Sequence, residues 1–211
     1  MNSRILLLFP IILLTACVTS SVQPLTVPNA ILQTPIQLKK LGGRTIALAN
    51  PTSSIKHGTV ISTYAVGIYC ARNYKVEWSE KSLGATAIKR YNIILSEELL
   101  SAKYNLFGDI NDPFYDVRKK KSDYLLGATF VDQKLNSCIH KDRQEGEAYL
   151  NIQWQLYDVK NQKIVYSKHT EGWTNTTIPK ISLMNNMRYV AYRHAVQNLL
   201  ADEKFAELAG K

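Results

Sequence analysis

The chain has 211 residues, 45% hydrophobic and 20% charged, which is globular rather than disordered in composition and suits one folded domain with a sizeable core. Its 26 Lys and Arg against 17 Asp and Glu leave a net charge of +9. That balance admits nucleic acid, an anionic membrane surface or an anionic polymer as partner, but is as readily a solvated face.

The first elements in order are a single cation, Arg4, an apolar run from Ile5 to Leu14, and small residues before Cys17. This is the order of a secretory leader. A bilayer-spanning helix needs roughly 20 apolar residues, and this run is shorter and broken by Pro10. The stretch Leu14-Thr15-Ala16-Cys17 resembles the lipobox of bacterial lipoproteins. The resemblance implies a signal peptide over 1–16, diacylglyceryl transfer to the Cys17 sulfur, cleavage before it and acylation of the new amino group. Each buried methylene of such chains adds about 0.8 kcal/mol to anchoring. Val18, Thr19 and Ser20 stand where an Asp would mark inner-membrane retention, so the resemblance implies the outer membrane, facing the periplasm. Export in turn argues against nucleic acid.

Residues 17–41 read as the lipidated Cys17 and a tether, because Pro24, Pro28 and Pro35 recur among polar residues without a helical or strand period. A domain is expected over 42–211. Gly42-Gly43 breaks the chain and Arg44 to Ala49 alternates as a strand. Pro51 to Gly58 reads as a loop. Thr59 to Trp78, dense in β-branched and aromatic residues, reads as one or two strands, with a bulge or close backbone approach at Gly67. Ser79 or Ser82 offers an N-cap for a helix to about Ala102, whose stripe Ile88, Tyr91, Leu95 and Leu99 is apolar. Lys89, Arg90, Asn92, Glu97 and Glu98 fall on its other face.

Asn105 to Pro113 reads as loop, and Asp123 to Gln133 as a strand that Ser137 to Ile139 extends. From Ala148 to Tyr157 the alternation is strict, with Leu150, Ile152, Trp154 and Leu156 on one face and Asn151, Gln153 and Gln155 on the other. Lys163 to Trp173 returns as the second arm of a hairpin. A helix from about Leu183 lines up Met187, Ala191, Ala195 and Leu199, and Asp202 caps a last short helix that buries Phe205 and Leu208. The predicted fold is α+β: an antiparallel sheet with a long hairpin, covered on one face by two amphipathic helices.

Two stretches carry a second family resemblance. The strand Tyr124-Leu125-Leu126-Gly127-Ala128 and the hairpin phrase from Tyr157-Asp158 through Lys160-Asn161-Gln162 to Val165-Tyr166 are similar to periplasmic lipoproteins of the curli-secretion-channel and TolB-N-terminal-like group. That group includes activators of penicillin-binding proteins. The likeness covers about residues 43 to 200 and implies assembly or adaptor work by surface contact, without catalysis. The long membrane-inserting hairpins of the curli channel are not evident here.

Assigning Cys17 to lipid leaves Cys70 and Cys138 as one pair in an oxidising compartment, or as two separately buried thiols. By chain entropy a bridge that long contributes roughly 4 kcal/mol. No Gly-x-Ser-x-Gly, Ser-x-x-Lys or His-Glu-x-x-His motif occurs, and no Gly-rich phosphate loop follows a strand. His57, His140, His169 and His194 share no metal-ligand spacing with one another or with a cysteine, so neither a metal nor another cofactor is expected. Asp109, Asn111 and Asp112 lack the glycine of a calcium loop and meet Pro113. Arg118, Lys119, Lys120, Lys121 and Trp173 remain as a candidate partner surface.

The expected function is therefore a non-enzymatic, lipid-anchored adaptor or assembly factor that binds another envelope protein or peptidoglycan. The alternative is a small-ligand carrier or hydrolase whose site forms only in three dimensions, and a deep apolar pocket would distinguish it. Self-association into a ring is a third reading.

Overall fold

The structure is a computed structural model that describes residues 25, 31–38, 43–67, 70, 72–109, 115–179 and 185–210. Everything hangs on one long strand. In chain order the strands are β1 (Thr45–Leu48), β2 (Thr52–Ser53), β3 (Val60–Val66), β4 (Arg72–Glu77), β5 (Asn105–Leu106), β6 (Tyr124–Ile139), β7 (Arg143–Asp158) and β8 (Lys163–Pro179). The helices are α1 (Ala85–Ser101), a single turn α2 (Tyr115–Arg118), α3 (Asn185–Leu200) and α4 (Glu203–Ala209).

β6 pairs along its length with β7, antiparallel, and β7 with β8. Along β6 three short strands also pair in parallel, end to end: β1 against Tyr124–Leu126, β2 against Thr129–Phe130 and β3 against Leu135–Ile139. β5 extends β1 in parallel, and β4 closes the far edge antiparallel to β3. The α+β class stands, and the sheet is mixed rather than purely antiparallel. The physical reason is the crossover: the chain leaves β4, passes through α1 and re-enters β6 in the direction β3 had run.

The three ribbon strands are longer than their apolar alternation. In β6 the pattern breaks because the register shifts between Phe130 and Asp132. This bulge flips the parity, so buried positions run Tyr124, Leu126, Ala128, Phe130 and then Gln133, Leu135, Ser137. β2 and β5, two residues each, lie inside stretches that read as loops.

α1 and α3 cover one face of the sheet. Met187, Ala191, Ala195 and Leu199 of α3 are fully buried, against Leu150, Ile152, Trp154 and Leu156 of β7. At Gly172 the α3 backbone touches the sheet directly: a Cβ there would collide with the Ala191 carbonyl and come within 2.7 Å of the Ala195 nitrogen. Trp154 Nε1 donates to Thr170 Oγ1 at 2.7 Å, and that hydroxyl donates to the Ala195 carbonyl at 2.7 Å. Tyr192 packs 4.7 Å from Tyr91 and 6.0 Å from Trp154, ring centre to ring centre.

Two residues expected on the wet face of α1 are buried instead. Glu98 pairs with Arg193 of α3 and accepts from Gln197 Nε2 at 3.0 Å, while Asn92 donates to Asn50 Oδ1 at 3.4 Å. The helix N-terminus is also built in two steps: Ser79 caps a 3-10 turn over Glu80–Leu83, and Gly84 then caps α1. Asp202 caps α4 by accepting from the Phe205 N–H at 2.8 Å.

Residues 31–38, within the stretch read as tether, lie along the body. Gln33 N donates to Asn198 Oδ1 at 2.7 Å, Asn198 Nδ2 to the Ile31 carbonyl at 3.0 Å, and Ile36 N to the Leu200 carbonyl at 2.9 Å. Cys17 and most of the stretch before Ile31 lie outside the described residues. Among the described residues no helix is long and apolar enough to cross a membrane.

Candidate functional site

Among the described residues, the helix-free face of the sheet carries one cluster of metal-ligating groups. β3 ends at Val66, and Gly67 turns the chain with φ +107°, a value that suits glycine. Its N–H donates to the Ile139 carbonyl at 3.2 Å, which pins the turn against the end of β6. Cys70 follows in a left-handed conformation, φ 52°, unusual for a side-chain-bearing residue. It is joined to Cys138 of β6 in a disulfide, with the Cα atoms 5.7 Å apart. Of the two readings of these cysteines the bridge is the one realised. Cys138 is fully buried and Cys70 6% exposed, with Ala65 completing a small apolar cluster.

The β6–β7 turn brings two more groups to the same point. The His140 N–H donates to the Arg143 carbonyl at 2.8 Å, so the chain reverses within four residues. The register then sets Glu145 directly opposite Cys138. His140 Nε2 lies 2.8 Å from Glu145 Oε1 and 3.9 Å from Cys70 Sγ. Arg143 Nε approaches the other carboxylate oxygen at 3.7 Å. Two sulfurs, one imidazole nitrogen and one carboxylate oxygen thus lie within 4.8 Å of one another. Along the sequence no histidine pairs with a cysteine at ligand spacing. The readable signal was Cys138-x-His140 followed by Glu145 across a tight turn, and Cys70 reaches it only through the fold.

The candidate partner residues are placed apart. Lys119, Lys120 and Lys121 form a 3-10 turn directly before β6, and Lys119 is paired with Asp116 at 2.6 Å. Arg118, Lys120 and Lys121 are exposed. Trp173 is half-buried on the helix-free face, opposite Tyr149 across the β7–β8 ladder, and Tyr149 in turn pairs with Lys134. Ten residues of β6 separate Tyr124 from Lys134, about 30 Å of strand, so the basic turn and Trp173 do not form one patch. Tyr149 donates to Glu171 Oε1 at 2.8 Å, and burial, then the Glu171 carboxylate, push its phenol well above the ordinary value. Around it the face is polar: Asn151, Gln153 and Gln155 of β7 are half-buried, and Ser167 and His169 of β8 are exposed.

The remaining histidines stay dispersed. His194 Nδ1 meets the Trp173 carbonyl at 2.6 Å, and His169 Nδ1 lies 3.1 Å from Asn151 Oδ1. His57 sits in an exposed turn. Asp109 is described, while the rest of the stretch weighed as a cation loop lies outside the described residues.

No protein-family model matches the chain, and no curated protein matches it. Among solved structures it is similar to protein XCC0632 of Xanthomonas campestris, from family DUF330, at 13% identity and TM-score 0.42, covering 88% of this chain and 93% of that one. Lipoprotein GNA1162 of Neisseria meningitidis follows at 14% identity and TM-score 0.37, with 75% and 98% covered. PelC of Paraburkholderia phytofirmans, solved as a dodecamer, has 13% identity and TM-score 0.39, with 80% and 93% covered. These are distant likenesses of chain path, and no activity passes from them to this chain.

Proposed function

We propose that this chain is a non-enzymatic envelope lipoprotein, anchored through Cys17 in the outer membrane and facing the periplasm. Its domain binds another envelope protein or peptidoglycan, as the curli-channel and TolB-N-terminal-like resemblance implies. One observation carries the reading. The space between helices and sheet is filled by side chains, while the opposite face of β6–β8 is polar, with an open hollow beside Asn151, His169 and Glu171. That is the surface of a protein that touches neighbours rather than one that encloses a small ligand. The Cys70–Cys138 bridge suits an oxidising compartment.

The test uses the full chain expressed in a Gram-negative host. Mass spectrometry of its N-terminus should find cleavage before Cys17 and acyl chains on it; an uncut, unacylated chain removes the anchor. Mild cross-linking in whole cells, followed by capture, should recover one envelope protein in constant proportion, or the purified chain should co-sediment with peptidoglycan sacculi. Failure of both arms overturns the adaptor role. Light scattering of the purified chain measures its mass and separates a self-associated ring from a monomer.

A further inference from the structure

We infer that the Cys70, Cys138, His140 and Glu145 cluster is a redox-gated metal site, which in its dithiol form takes one divalent cation of the zinc class. The inference goes beyond the adaptor reading and does not depend on it. A disulfide needs two sulfurs and nothing more. Here an imidazole nitrogen 3.9 Å from one sulfur, and a carboxylate 2.8 Å from that nitrogen, converge on the same point. The His140 side chain is only 11% exposed, which makes it a built feature rather than a surface residue in passing.

Zinc accepts thiolate, imidazole and carboxylate ligands at about 2.0–2.3 Å in a tetrahedron, so its ligand atoms stand about 3.3–3.8 Å apart. The four donor atoms already lie within 4.8 Å of one another. Small side-chain rotations close the shell once the S–S bond is gone. Two thiolates, one carboxylate and a neutral imidazole give the occupied site a charge of −1, and Arg143, 3.7 Å from Glu145, stands beside it as counter-charge.

The chemistry balances with a dithiol as reductant. Two electrons pass from that dithiol into the Cys70–Cys138 bond, the reductant closes its own disulfide, and its two protons leave Cys70 and Cys138 as thiols. Binding of the cation then releases those two protons and leaves two metal–sulfur bonds. In the bridged form Nε2–H of His140 donates to Glu145. Ligation through Nε2 requires the other tautomer, with the hydrogen on Nδ1. The bridge and the cation therefore exclude each other.

The test uses the purified full chain. It is reduced with dithiothreitol, desalted without oxygen, and titrated with Co2+ as a spectroscopic probe and then with Zn2+. The expected result is one Co2+ per chain with a thiolate-to-cobalt charge-transfer band, displaced by Zn2+, and no band from the bridged chain. His140→Ala, which leaves the bridge intact, should weaken binding by at least about tenfold in the reduced chain. Should reduction loosen the fold, Zn2+ should restore the melting temperature in the wild type and not in His140→Ala. Equal binding by the bridged and reduced forms, indifference to His140→Ala, or a reduced chain that neither binds Co2+ nor is restored by Zn2+ each overturns the inference.

Discussion

The two ends of the β6–β8 ribbon are held by different forces. At the root, Tyr124 to Phe130 of β6 face α1 and α3 across a core that includes Trp154, Tyr192 and Leu199, all fully buried. At the tip, Leu135 to Ile139 pair with Gln144 to Ala148, and β3 lies along the other edge of β6. Beyond Leu135 and Ala148, which still belong to the main core, the buried apolar cluster is Ala65 with the two cysteines. Hydrophobic burial scales with the area removed from water, so the root has a large driving force and the tip a small one. A covalent bridge takes over where the core ends, which is how domains short of core are usually stapled.

The comparison can be broken most directly at the root. Trp154→Ala should cost about 3–5 kcal/mol in urea unfolding, through lost burial, a cavity, and a Thr170 hydroxyl deprived of one partner. Replacing both bridge cysteines by serine should cost about 2–4 kcal/mol. Its hydrogen-exchange signature should be local, with faster exchange in Leu135–Ile139 and little change in Tyr124–Phe130. Equal acceleration at both ends would mean that root and tip are one cooperative unit, and the contrast would fail.

A smaller effect sharpens the root. Asp202 caps α4 and pairs with Lys168. Burial alone would raise its carboxyl, but the Lys168 ammonium and the Phe205 N–H outweigh it and hold the value below the ordinary one. Because the folded value is depressed, the contribution is complete above the ordinary carboxylate range and is lost as pH falls through the folded value. Asp202→Ala should cost about 1 kcal/mol at neutral pH and flatten the acid limb of the stability curve. The smallest effect is expected at Lys119→Ala, whose exposed partner Asp116 makes the pair worth less than about 0.5 kcal/mol. A larger loss would show that the basic turn supports the root.

Much of this contrast was legible along the chain. Leu150, Ile152, Trp154 and Leu156 announced a half-wet strand, and Met187, Ala191, Ala195 and Leu199 announced the face that meets it, because both periods are local. Asn92 and Glu98 run against pattern, since polarity alone says exposed while Arg193 and Gln197 arrive from a distant segment to pair with Glu98 and Asn50 to accept from Asn92. The bulge after Phe130 hid the outer half of β6 by reversing its parity. The Cys70–Cys138 pair could be reached as one of two readings by counting cysteines, and His140 stands two residues from Cys138, but nothing local says that Cys70 comes to lie beside that imidazole.

By itself the sequence determined the α+β class, the buried stripes of α1 and α3, the hairpin and the cap at Asp202, all set by residues within a few turns or pleats of one another. Tertiary structure alone decided the parallel docking of three short strands along β6 and the convergence of His140 and Glu145 on the Cys70–Cys138 pair. Alternation records which face of a strand is buried and carries no information about which edge it will pair with. That choice belongs to the path of the whole chain, and the convergence of four donor atoms follows from it.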